Sequence, residues 1–223
     1  MNTPTSNPGN RDDLIAALTD DLTPVARIKP AHGVLLIGFA TLVAAAVSIA
    51  GFEFWAGIVT GEASAFFWIT NGLLLVLGMA STAALVAGAL PRVGARANAP
   101  AWSAAMLGVV PAAAIITLFS PETLHGHGGL SDPAMWHWPC AAKALAASLL
   151  VAVAAVMFLR RGAPVSMERS GWLTGLAAGS LGSLAYGLTC PLDGITHVGI
   201  MHVIPVAVAA VAGRFVVPPM IRW

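Results

Sequence analysis

The stretch PAHGVLLIGFATLVAAAVSIAGF, from Pro30 to Phe52, holds no Asp, Glu, Lys or Arg. Crossing the ~30 Å hydrocarbon core of a bilayer takes about 20 such residues as a helix. Lipid offers no partner to an open backbone group, so the segment must close its own hydrogen bonds. Residues 63–91, 97–121, 170–192 and 194–213 are charge-free in the same way. Residues 144–159 form a shorter interval, which reaches spanning length if it starts near Trp138 and Lys143 snorkels outward. The intervals predict an all-α membrane protein, a six-helix bundle with spans at about 33–54, 65–90, 101–119, 138–159, 171–189 and 197–216. The apolar/polar alternation of a membrane β-barrel is missing from these stretches.

Composition points the same way. Of 223 residues, 57% are hydrophobic and only 9% charged, with mean hydropathy +0.81. About a quarter of a soluble domain is charged, so a water-exposed globule is excluded, as is a disordered chain. A net charge of +1 offers no field for direct nucleic-acid binding. Residues 1–30 are polar and the first apolar run is too long for a signal peptide, so the first helix is expected to stay.

Orientation follows from the cations. With the N-terminus inside, ten Lys and Arg residues lie on that side and only Lys143 on the other. Both termini are therefore expected in the cytoplasm. Partitioned this way, the inner side is +5 and the outer side −4, an asymmetry that the total conceals. Gly171, Gly175 and Gly179 recur at four-residue spacing, where small residues let helices approach. Packing within the bundle is preferred over homodimerisation, because six helices must pack in any case.

The first 30 residues form a separate tail before the domain at 31–223. Residues 1–10 are rich in Asn, Pro, Thr and Ser and are expected to be disordered. From Arg11, the apolar Leu14, Ile15, Leu18, Leu22 and Val25 recur at three- and four-residue steps among Asp12, Asp13, Asp20 and Asp21. That pattern predicts a short amphipathic helix, limited to about three turns by Pro24. Four aspartates argue against a membrane-surface helix. Docking on the bundle's own cytoplasmic face and insertion into a groove on a soluble partner both remain open.

The predicted topology brings Cys140, at the start of the fourth helix, and Cys190, at the end of the fifth, to the outer boundary. His125, His127, His137, His197 and His202 fall on or near that side. Thiolate and imidazole suit soft to borderline ions such as Cu(I) and Zn(II), and two cysteines in an oxidising compartment also form disulfides. His137 stands one turn before Cys140, and His202 sits inside the sixth helix, where a polar group faces the bundle interior. These two are the preferred companions of the cysteine pair. His197 ranks lower, as do His125 and His127, whose Gly-rich loop fits no zinc-finger spacing. Walker A, dinucleotide, H-E-x-x-H and G-x-S-x-G signatures are missing, so nothing in the sequence points to an enzyme.

The segment DLIAALTDDLTPV from Asp13 to Val25, with Arg27 and Pro30, resembles the N-terminal signature of the NrsF family. So do Trp138-Pro-Cys140, Gly175-Leu-Ala-Ala-Gly179 with Tyr186 and Cys190-Pro191, and the stretch from Gly213-Arg214 to Arg222-Trp223. The resemblance implies a multi-pass anti-sigma factor of the bacterial inner membrane. It would hold an extracytoplasmic-function sigma factor through its tail, around Asp13, Leu14, Ile15, Leu18 and Leu22. The two cysteines are implied to sense heavy metal or oxidation and so trigger release. The rival expectations are a small metal or solute transporter, and a structural subunit of a membrane complex. For the first, the sparse mid-span polar residues Thr70, Asn71, Ser81 and Thr82 are the relevant feature.

Overall fold

The computed structural model describes residues 8–20, 28–90, 98–118 and 137–222. Among them the chain is helical with no strand: α1 (Pro8–Asp20), α2 (Pro30–Phe52), α3 (Gly57–Thr60), α4 (Ala65–Gly88), α5 (Ala99–Leu118), α6 (Trp138–Leu159), α7 (Met167–Gly187), α8 (Ile195–Met201) and α9 (Ile204–Ile221). Five segments are long and apolar enough to cross a membrane: Pro30–Phe52, Ala65–Gly88, Ala99–Ile116, Trp138–Leu159 and Ile195–Ile221. Among the large side chains that they leave exposed are Leu35, Phe39 and Leu42 of α2 and Trp102, Val109 and Ile116 of α5. Apolar surface on that scale suits lipid as the solvent.

The expected fifth span forms as α7, yet it is not among those five. Its Gly, Ser and Thr content lowers its hydropathy, because 15 of its 21 residues are buried in protein. A helix enclosed by its neighbours needs closeness more than apolar bulk. A Cβ placed on Gly171 would fall 2.5 Å from the Gly213 carbonyl oxygen of α9, and one on Gly179 2.7 Å from the Val206 Cα. Gly175 lies tighter still, against the Ala209 carbonyl. On other faces, Gly182 meets the Ser148 backbone of α6, and Leu181 fills the space above Gly78 of α4. The glycine row is thus taken up by the chain's own α9.

The sixth expected span, at 197–216, departs from a single helix. It breaks after Met201 and resumes at Ile204. Pro205 explains the break, since it donates no hydrogen bond and its ring collides with the carbonyl four residues back. In the first turn of α9 those defects cost little. At the other end of the chain, α1 begins at Pro8, three residues before the expected start and inside the segment expected to be disordered. Proline in a first turn accounts for this too. Every residue from Arg11 to Asp20 is exposed, Leu14, Ile15 and Leu18 included. Leu22 and Val25 lie outside the described residues.

Two connections hold one end of the bundle together. The Trp55 N–H donates to the Leu188 carbonyl at 3.1 Å. The Ser64 N–H donates to Asp193 Oδ2 at 2.7 Å, while its hydroxyl donates to the Asp193 carbonyl at 2.8 Å. Ser64 is also the N-cap of α4, accepting from the Phe67 N–H. The segment after α7, which contains Cys190, is thereby tied to the start of α4.

Candidate metal and redox site

Cys140 sits in the first turn of α6, where Pro139 starts the helix and the Cys140 N–H closes on the His137 carbonyl at 2.9 Å. Cys190 follows the C-cap of α7 by two residues. Fifty positions apart in sequence, their sulfurs lie 3.7 Å from each other, both as free thiols and both buried. The third member comes from α8: His197 Nε2 is 3.6 Å from Cys190 Sγ. One donor atom from each of Cys140, Cys190 and His197 lies within 4.8 Å of the other two, a grouping that could hold a metal ion. The hydrogen bond with the Cys140 sulfur, and then loss of water, hold the Cys190 thiol above its ordinary range.

Around this trio stand two further rings. The Tyr186 hydroxyl donates to Cys140 Sγ at 3.4 Å. The His202 ring, at the break between α8 and α9, stacks on Tyr186 with centroids 6.0 Å apart and meets His197 edge-on at 5.7 Å. His202 is 2% exposed, and neither ring nitrogen has a hydrogen-bond partner. Gly187 makes room for this crowding. A Cβ there would lie 2.7 Å from Asn71 Oδ1 and 3.6 Å from His202 Nδ1. On α4, Thr70, Asn71, Ser81 and Thr82 are all buried, each with an unpaired oxygen. The Lys143 ammonium lies 4.0 Å from the Phe52 ring centre and 5.9 Å from that of Tyr186, a cationic contact one turn from Cys140.

The structure brings together Cys140, Cys190 and His197, with His202 adjacent. His137 stands apart as the exposed N-cap of α6 and is not in the donor group. His125 and His127 lie outside the described residues. The rank of His197 below His137 therefore differs from their placement: proximity in sequence favoured His137, whereas the turn after α7 carries His197 back to the sulfurs. Tyr186 received no role from spacing alone. The available signal was that the chain's sole tyrosine stands four residues before Cys190.

No solved structure matches the chain. Over 161 residues it is 27% identical to a protein of Azospira oryzae described as a probable anti-sigma-F factor NrsF, covering 70% of this chain and 72% of that one. The family described as NrsF, negative regulator of sigma F, matches residues 18–223, which takes in α2 through α9 and every member of the buried cluster. The chain belongs to the NrsF family.

Proposed function

We propose that this protein is a membrane-embedded anti-sigma factor with its sensor at the outer end of the bundle. Its tail, residues 1–30, holds an extracytoplasmic-function sigma factor. Binding of a heavy metal at Cys140 and Cys190, or their oxidation by an external two-electron acceptor that also takes up two protons, releases it. Membership of a family of negative regulators supports a regulatory role and not a catalytic one. In this reading α7 is the sixth crossing, since 21 residues of helix extend about 31 Å. Both termini then lie in the cytoplasm of the inner-membrane topology, as the cation asymmetry supports.

The observation that carries the proposal is the meeting of two distant cysteines with His197 in one buried cluster. A ligand there links α6, the end of α7 and α8, so its binding energy acts on the relative placement of three helices. Driving a two-state switch from mostly off to mostly on takes about 5 kcal/mol of differential binding, and a structural thiolate–metal site supplies more than that. At the other end, the exposed Leu14, Ile15 and Leu18 offer an apolar strip to a groove on a partner.

Co-purification of soluble partners tests both halves. The full chain is expected to retain a sigma factor that a variant lacking residues 1–30 loses, and metal or oxidant to release it from the full chain. Release that persists in Cys140→Ser with Cys190→Ser would overturn the sensing half. One observation favours a second reading, small-ion transport: the broken α8–α9 helix beside unpaired polar atoms on α4 resembles the sites of secondary transporters. Metal uptake by proteoliposomes holding the protein would favour it.

A further inference from the structure

The geometry points to a tetrahedral site for a divalent ion of the zinc type, with Cys140 Sγ, Cys190 Sγ and His197 Nε2 as three ligands and His202 as the fourth. This rests on the reading of the cysteines as the sensory input. It adds the ligand set and the class of ion.

The distances make the first case. Zinc takes sulfur at about 2.3 Å and imidazole nitrogen at about 2.0–2.1 Å, so tetrahedral angles put two sulfurs about 3.8 Å apart and sulfur and nitrogen about 3.6 Å apart. Two separations here match, 3.7 Å between the sulfurs and 3.6 Å from Cys190 Sγ to His197 Nε2, and the third pair, Cys140 and His197, lies within 4.8 Å. A disulfide, by contrast, needs the sulfurs at about 2.05 Å. The cluster is spaced for an ion to sit among the sulfurs.

Charge makes the second. Two thiolates and two neutral imidazoles around a dication sum to zero, whereas a monovalent ion leaves one negative charge buried among apolar residues. Neutrality at the ligands alone favours a dication, since a monovalent ion would need the Lys143 ammonium, one turn from Cys140, to offset the residual charge. As the sulfur–metal bonds form, each thiol gives its proton to water, two protons per ion, and no electrons move.

His202 makes the third. A fully buried imidazole with both nitrogens unpaired is rare, because an unmet polar group in that setting costs about 1–3 kcal/mol. A metal bond to one nitrogen removes half of that deficit. His202 caps the end of α8, its N–H closing on the Val198 carbonyl at 3.4 Å, and the break after it sets its ring beside Tyr186 and His197. Tyr186 completes the arrangement from outside, since its hydroxyl on Cys140 Sγ is the kind of hydrogen bond a ligating sulfur receives.

The test uses the full chain in detergent under reducing conditions, titrated with Co²⁺ and then Zn²⁺. One Co²⁺ per chain is expected, with thiolate-to-metal charge-transfer absorption and the visible bands of a tetrahedral ion, all displaced by Zn²⁺. His197→Ala should weaken binding at least tenfold and change the spectrum, while His137→Ala leaves both alone. An octahedral spectrum without charge transfer in the natural protein, or binding by His197→Ala equal to it, overturns the assignment. Because a histidine variant can misfold, alkylation of the natural protein gives a second readout: Zn²⁺ should shield both cysteines, and unchanged alkylation overturns the site. The two layers fail separately. Loss of sigma release in the serine variants with no ion bound by the natural protein removes this inference and leaves sensing by oxidation. A tetrahedral ion with release intact in the serine variants does the reverse.

Discussion

Tyr186 directs its hydroxyl at a sulfur and its ring at His202, so one side chain touches both halves of the cluster. Replacing it by Phe keeps the ring and removes only the donor. Tyr186→Phe should change stability by no more than about 0.5–1.5 kcal/mol, read by thermal unfolding in detergent. Metal affinity should fall about 10- to 100-fold, the usual cost of losing a hydrogen bond to a ligand. Equal affinity in the two proteins would remove Tyr186 from the site. At this scale the sequence disclosed the cysteines, because their depth follows from helix boundaries set by charge. It set His197 below His137, because the approach of His197 to Cys190 depends on a turn that charge spacing does not describe.

The α7–α9 contact shows what a hydropathy scan leaves out. Helices α2, α4, α5 and α6 were legible from charge-free length, and Trp138–Leu159 forms over the expected residues. The glycine row of α7 was legible as packing, but its partner was not, since nothing in one helix names the face it meets. The break at Val203 was also missed, because an apolar run hides a proline among residues that suit lipid equally well. Gly175→Ala sets a methyl against the Ala209 backbone. It is expected to destabilise the bundle by about 1–3 kcal/mol, and more than Gly38→Ala, where a Cβ meets nothing within 4 Å. Thermal unfolding of both variants in one detergent checks the order.

Across the whole molecule, the tail and the bundle differ in what holds them. Arg11 to Asp20 is exposed throughout, so removal of residues 1–20, which spares Ile28 on the core and the start of α2, should leave the unfolding temperature of the bundle nearly unchanged, within about 0.5 kcal/mol as for other surface changes. The same deletion should abolish capture of the sigma factor. A large drop in stability would mean that the tail packs on the bundle and is no free arm. The proposed orientation, which puts +5 inside and −4 outside, makes a matching prediction: tags at the two ends should both resist protease added to the outer face of intact cells.

The clamp between Ser64 and Asp193 has a mechanical meaning. Asp193 stands three residues beyond Cys190, and Ser64 caps α4, so the chain that bears the sulfur has no slack on that side. In the proposed sensor, a sulfur drawn toward a bound ion would tug on the end of a rod that reaches Gly88. That displacement would then arrive at the far end of α4 as the tilt of a stiff lever. Cutting this tether, one of two at this end, would weaken the coupling and leave the proposed ligands in place.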